Sequence, residues 1–151
     1  MSAPRTAAVP AMPNVHSHAF QRDLRGIAER PAPDAHARDD FWSWRTAMFA
    51  SAGALDPDSM HDVARRVYAE MVAAGYGAVG EFHYVHHQPD GTPYEDPNAM
   101  AIAVAEAALA EGLPIVLLPA AYNRNGWDGG DRPLGDGQRR FGDPDAETFL
   151  D

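Results

Sequence analysis

Apolar positions between Asp56 and Pro119 follow a helical rhythm, then a run, then repeat both. Met60, Val63, Ala64, Val67, Met71 and Ala74 recur at three- and four-residue spacing, which marks one helical stripe facing a core. Asp56-Pro57 starts this helix, with an acidic N-cap and a proline at the first helical position, where a missing N–H costs nothing. Leu55 and Met60 are spaced to form a hydrophobic staple across that start, and Gly75 supplies a left-handed C-cap. A short strand, Ala78 to Phe82, follows. The same order then recurs: Asp96-Pro97 opens a helix, Ala99 to Ala110 fills it, Gly112 closes it, and the apolar run Ile115 to Leu118 suits a strand buried on both faces. A third pair, Asp143-Pro144, begins another helix from Ala146 onward. Upstream, Ala7 to Met12 reads as the first strand. Phe41, Trp44 and Met48 fit one face of a helix starting after Asp39 or Asp40.

Alternation of helices with buried strands predicts parallel βα units and an α/β fold. About three such units fit into residues 1–151, whereas a closed (β/α)8 barrel takes eight strands. The chain stops just after its third capped helix start. The expectation is therefore one incomplete domain over residues 1–151, the N-terminal portion of a longer barrel protein.

Composition narrows the partners. Hydrophobic residues make up 45 % and charged residues 23 % of the chain, ordinary values for a soluble globular protein. No run of about 18 apolar residues exists to span a membrane, and the N-terminus lacks the apolar core of a secretory signal. The cytoplasm is the simplest compartment. Without cysteine, any metal must be held by His, Asp or Glu. A net charge of −10 opposes nucleic-acid phosphates. The pairs Arg65-Arg66 and Arg139-Arg140 are too short for a binding stripe.

Candidate chemistry gathers after the strands. His16 and His18 are two apart, so in extended backbone they point the same way and can converge on one metal ion. At the C-terminal mouth of a barrel strand they would sit where such enzymes react their substrates. On the second strand, Glu81 and His83 alternate with Phe82 and Tyr84, and His86-His87 reads as a solvated loop. Tyr84 can hydrogen-bond a ligand or seal the mouth with its ring. Tyr122 to Trp127 leads into a glycine-rich loop that either contacts substrate or is a surface excursion. Arg45 lies beside Phe41 and Trp44; spacing alone favours packing, with a two-pronged carboxylate clamp as the alternative.

The segment Pro13-Asn14-Val15-His16-Ser17-His18-Ala19-Phe20-Gln21-Arg22 resembles the first-strand signature of the amidohydrolase superfamily. Its Ala-Phe-Gln-Arg extension is similar to the formimidoylglutamate deiminase family. Phe41 to Arg45, Gly80 to His87, Asp90 to Tyr94 and Gly137 to Phe141 resemble further collinear motifs of that family. The resemblance runs from about Pro10 to the C-terminus. It implies a metal-dependent amidohydrolase barrel and hydrolysis of N-formimidoyl-L-glutamate to N-formyl-L-glutamate and ammonia in histidine breakdown. It also implies one divalent metal, usually zinc, held by the His-x-His pair with a later His and a later Asp; His16 and His18 match the pair. Gln21, Arg45 and Tyr84 align with residues that bind the glutamyl part, which turns Arg45 and Tyr84 from packing toward ligand contact.

A homodimer is implied for the full-length protein only. The family's proton-handling Glu and further His have no counterpart here, and Glu81, on strand two, does not replace them. The rivals are another amidohydrolase deaminase or chlorohydrolase, of purine or triazine type, and a non-catalytic remnant. Residues 1–151 alone are expected to bind zinc weakly and to release no ammonia from formimidoylglutamate above a metal-only blank. Release above that blank would overturn the reading.

Overall fold

Among the described residues three strands pair side by side in parallel, in the order β1-β2-β3. The structure is a computed structural model that describes residues 7–28, 40–125 and 132–150. Strand β1 is Met12–Ser17, followed by a 3₁₀ segment at Ala19–Leu24. Helices α1 (Phe41–Gly53) and α2 (Pro57–Ala73) lead to strand β2 (Tyr76–His83). Helix α3 (Ala99–Ala110) leads to strand β3 (Ile115–Pro119). A second 3₁₀ segment (Asp136–Phe141) and helix α4 (Ala146–Leu150) complete the order. Parallel strands with alternating helices are the arrangement of the N-terminal part of a (β/α)8 barrel.

The helix signals act as chemistry dictates. The Asp56 carboxylate accepts the Ser59 N–H at 2.8 Å while the Ser59 hydroxyl accepts the Asp56 N–H, also at 2.8 Å. Asp40 and Ser43 make the same reciprocal box at the start of α1, so two orphan amides are satisfied at each helix entrance. Gly75 and Gly112 close α2 and α3 with φ of +87° and +68°. On α2 the buried residues are Met60, Val63, Ala64 and Tyr68. They meet Val79 of β2 and Met100, Ala103, Val104 and Ala107 of α3 in one core. Each large apolar side chain fully buried there contributes roughly 1.5–3 kcal/mol.

Several expectations shift. The first strand lies at Met12–Ser17, not Ala7–Met12: β2 begins only at Tyr76, which pairs with Met12, so the earlier residues have no β2 partner and Pro10 has no N–H to offer. Helix α3 starts at Ala99, because Asp96 turns the chain one step earlier by accepting the Asn98 N–H at 2.9 Å. Asp145 rather than Asp143 caps α4, taking the Thr148 N–H at 2.8 Å. Ala74 is exposed and Tyr68 takes its place in the stripe. Phe41 is exposed where packing was expected. On β3, Ile115 and Leu117 pack on the core, whereas Val116 and Leu118 are exposed. Their face of the sheet is the one a closed barrel turns inward.

Arg140 ties these layers together. Fully buried, its guanidinium donates to the carbonyls of Ala52 at the end of α1, Leu55 in the α1–α2 turn (2.9 Å) and His87 after β2 (3.1 Å). Its own carbonyl accepts the His86 and His87 amides. Replacing it leaves three carbonyls short of a donor, each costing about 1–3 kcal/mol if buried. Arg140→Met is therefore expected to destabilise the full-length protein by roughly 3 kcal/mol or more, read as a lower urea midpoint. A midpoint unchanged from wild type would contradict this.

Candidate metal centre and substrate pocket

The histidine pair is aimed by an irregular strand. Asn14 pairs with Val79 and Ser17 with Glu81, so three steps along β1 match two along β2. That extra residue is a bulge. It lets Asn14 and Ser17 face the same side, Asn14 reaching the Met71 sulfur of α2 at 3.7 Å and Ser17 buried beside Glu81. His16 and His18 are left on the other side. The Asn14 side-chain oxygen accepts the His16 N–H at 3.2 Å, satisfying an amide inside the bulge. Across from it, β2 carries Gly80, where a Cβ would lie 3.2 Å from the Val15 carbonyl oxygen.

The Nε2 atoms of His16 and His18 stand 3.1 Å apart. Two nitrogens bound to one tetrahedral zinc at 2.0–2.1 Å would lie about 3.3 Å apart. The Nδ1 of His18 lies 2.9 Å from the Phe82 carbonyl. A carbonyl only accepts, so Nδ1 carries the proton and Nε2 presents its lone pair, the orientation that metal-binding imidazoles take. Burial lowers the His18 pKa, partly opposed by the Phe82 bond and reinforced by His16, which favours the neutral ring a ligand needs. The Phe82 ring stacks on His16 at 4.7 Å. Among the described residues no cluster of three or more His, Cys, Asp or Glu side chains is suited to a metal; the pair fits as two ligands of a larger set.

A cavity of about 300 Å³ opens beside the pair. His18, Gln21, Arg45, Tyr84 and Tyr122 line it, floored by Phe49 and Phe141. Four of the five residues singled out from the sequence thus meet in one space, and His16 borders it through His18. Gln21 donates to the Tyr84 hydroxyl at 2.8 Å, which leaves the Tyr84 proton for an acceptor in the cavity. Burial pushes the Tyr84 pKa up to about 12, with Gln21 working against it and Glu81 and Tyr122 adding to it, so this hydroxyl stays a donor. Arg45 lies over the Phe49 ring at 4.8 Å and donates to the Tyr122 hydroxyl at 3.0 Å. Its partners among the described residues, Trp42, Phe49, Tyr122 and Asn125, are neutral.

Sequence reasoning missed the support behind Arg45. Buried Gln138 donates to the Tyr122 hydroxyl at 2.8 Å and to Asn125 at 3.2 Å, and Tyr122 is the group that Arg45 contacts. The signal was present in the Gly137 to Phe141 motif, but spacing alone could not link it to residue 45. In the expected glycine-rich loop, Gly126 and Trp127 lie outside the described residues.

The sequence model of the amidohydrolase family matches residues 7–145. Formimidoylglutamate deiminase from Pseudomonas aeruginosa is 44 % identical over 135 residues, which cover 89 % of this chain and 29 % of that protein. The crystal structure of an amidohydrolase from Brucella melitensis superposes with a TM-score of 0.82 at 45 % identity, over 92 % of this chain and 30 % of that one. A triazine hydrolase from Arthobacter aurescens superposes with a TM-score of 0.60 at 20 % identity, over 89 % of this chain and 27 % of that one, a likeness of fold. The chain thus spans under a third of the length of these relatives.

Beyond the pocket, His86 and His87 correct the expectation of a solvated loop. The His86 Nε2 lies 3.1 Å from the Ala120 carbonyl, and His87 Nε2 lies 3.3 Å from buried Asp143. Both are pulled in because Arg140 takes their amides. His83, on the core side of β2, is buried with its Nε2 unpartnered among the described residues. Burial, with His86 adding to it, lowers its pKa to about 3. The unfolded chain binds this proton near 6.5 and the folded one does not. His83's contribution to stability is therefore full above about pH 6.5 and is lost as pH falls toward 3. His83→Leu is expected to flatten the acid limb of a urea-stability profile of the full-length protein. A limb as steep as wild type would refute the assignment.

Proposed function

The chain belongs to the amidohydrolase family, and on that premise we propose that it contributes half of the metal site and most of a substrate pocket to a deiminase that hydrolyses N-formimidoyl-L-glutamate. The products are N-formyl-L-glutamate and ammonia, a step of histidine breakdown. Residues 1–151 form the N-terminal portion of its barrel domain. The observation that carries this reading is the single cavity shared by His18, Gln21, Arg45 and Tyr84. The identity to a formimidoylglutamate deiminase over most of the chain supports it.

His16 and His18 hold a divalent ion, zinc by this reading, through Nε2. Such an ion supplies Lewis acidity that makes water a competent nucleophile near neutral pH. The chain's own residues do the rest of the work seen here. The substrate carries two carboxylates and the chain is acidic, so a cation must be placed for them. Arg45 provides a planar fork for one, held against Phe49 and Tyr122. Tyr84 donates its hydroxyl proton to the same glutamyl part, and Gln21 fixes the direction of that hydroxyl. Together they set the formimidoyl end toward the histidine pair, so that binding at the acid end orients the reacting carbon.

A ring substrate of the purine or triazine kind has no carboxylate for Arg45, and the triazine hydrolase likeness is one of fold only. Ammonia release by the zinc-loaded full-length protein tests the reading. Formimidoylglutamate is expected to turn over, and aminopurines or chlorotriazines are not; the opposite pattern would sink it. Arg45→Gln is expected to lower kcat/KM for formimidoylglutamate about 100-fold, the equivalent of a lost charge-assisted contact of roughly 3 kcal/mol. The same change should leave an N-formimidoyl alkylamine, which lacks both carboxylates, unaffected. Equal losses on both substrates would remove Arg45 from the carboxylate site.

A further inference from the structure

Glu81 is a buried carboxyl that the chemistry above does not use. It is 2 % exposed, on the core side of β2. Its Oε1 accepts the Ala19 N–H at 2.5 Å. Ala19 follows His18 and opens the first 3₁₀ segment, so this amide is one of the donors that a helical start leaves without an internal acceptor. The hydroxyls of Ser17 and Tyr68 stand beside the carboxyl, although the Tyr68 hydroxyl and Glu81 Oε2 form no well-shaped hydrogen bond among the described residues. Placing a carboxyl here is costly, and burial raises its pKa. A core role alone would be served better by an apolar side chain.

The neighbouring residue works on the opposite face of the same strand. The Phe82 carbonyl takes the Nδ1 proton of His18 at 2.9 Å, and its ring stacks on His16 at 4.7 Å. Two consecutive residues of β2 therefore grip His18 from both sides, one through its ring and one through the peptide that follows it.

We propose that Glu81 is a positioning residue for the histidine pair, its carboxylate fixing the turn from Ser17 to Ala19 so that His18 holds Nε2 beside that of His16. This rests on the reading that His16 and His18 bind the metal. What matters is an acceptor at Oε1, not acid–base chemistry.

Zinc affinity of the full-length protein, by competition with a chromophoric chelator, provides the test, with the visible spectrum of the cobalt(II) form as a second readout. Glu81→Met fills the volume without accepting the Ala19 N–H. It is expected to weaken zinc binding 10- to 100-fold and to change the cobalt spectrum; Glu81→Ala serves if E81M does not fold. Glu81→Gln keeps an acceptor oxygen and is expected to retain both affinity and spectrum. Unchanged zinc binding in E81M, with only a lower urea midpoint, would overturn the proposal, as would an equal loss in E81M and E81Q. His18→Ala separates the two readings: if it too leaves zinc binding intact, the metal assignment itself fails, whereas a loss in H18A alone leaves that assignment standing and removes Glu81's role.

Discussion

The single extra residue in β1 between Asn14 and Ser17 is the constraint on which the site depends. In a regular ladder, residues three apart face opposite ways. Here both turn toward the helical layer, so His16 and His18 together face the other side. A bulge leaves part of its ladder unpaired, and the surroundings must absorb that. Asn14 takes the His16 amide, Gly80 leaves room for the Val15 carbonyl, and Glu81 takes the Ala19 amide. The irregularity is thus supported from three directions, as expected for a feature that aims side chains rather than a packing defect.

Two arginines show how one acidic chain uses the same group for different ends. Arg140 is enclosed and spends its donors on backbone carbonyls, which holds α1, the α1–α2 turn and the loop after β2 in a fixed relation. Arg45 lies over aromatic faces with hydroxyl and amide partners, neutral groups that orient the guanidinium. A cation so oriented, with no carboxylate partner among the described residues, is suited to an incoming carboxylate. The buried Gln138–Tyr122 contact extends that orientation into the core.

Much of this was legible in the sequence. The Asp-Pro start and glycine stop of α2, the helical stripe, the strand at Ile115 and the parallel βα order all follow from local rules, and the structure has them. Motif resemblance singled out His16, His18, Gln21, Arg45 and Tyr84; the structure places all but His16 around one cavity, with the His16 Nε2 3.1 Å from that of His18. What could not be read depends on partners distant in sequence. The start of β1 is set by where β2 begins, 64 residues away for Met12 and Tyr76. The bulge is a relation between two strands and leaves no mark on either alone. His86 and His87 look like loop residues until Arg140, more than 50 positions later, takes their amides. Asp143 resembled another helix cap, but its burial beside His87 left that task to Asp145.

The placement of Asn14, Glu81 and Phe82 has a consequence for where the cost of ordering the histidine pair falls. Every group that aims the histidine pair lies in β1, in β2 or directly after β1, so the pairing of these two strands brings them together. A domain folds as a unit, and the core behind these strands includes residues of α3. The two imidazoles therefore take their mutual orientation when the domain folds, and the entropy of arranging them falls on folding rather than on the binding of an ion.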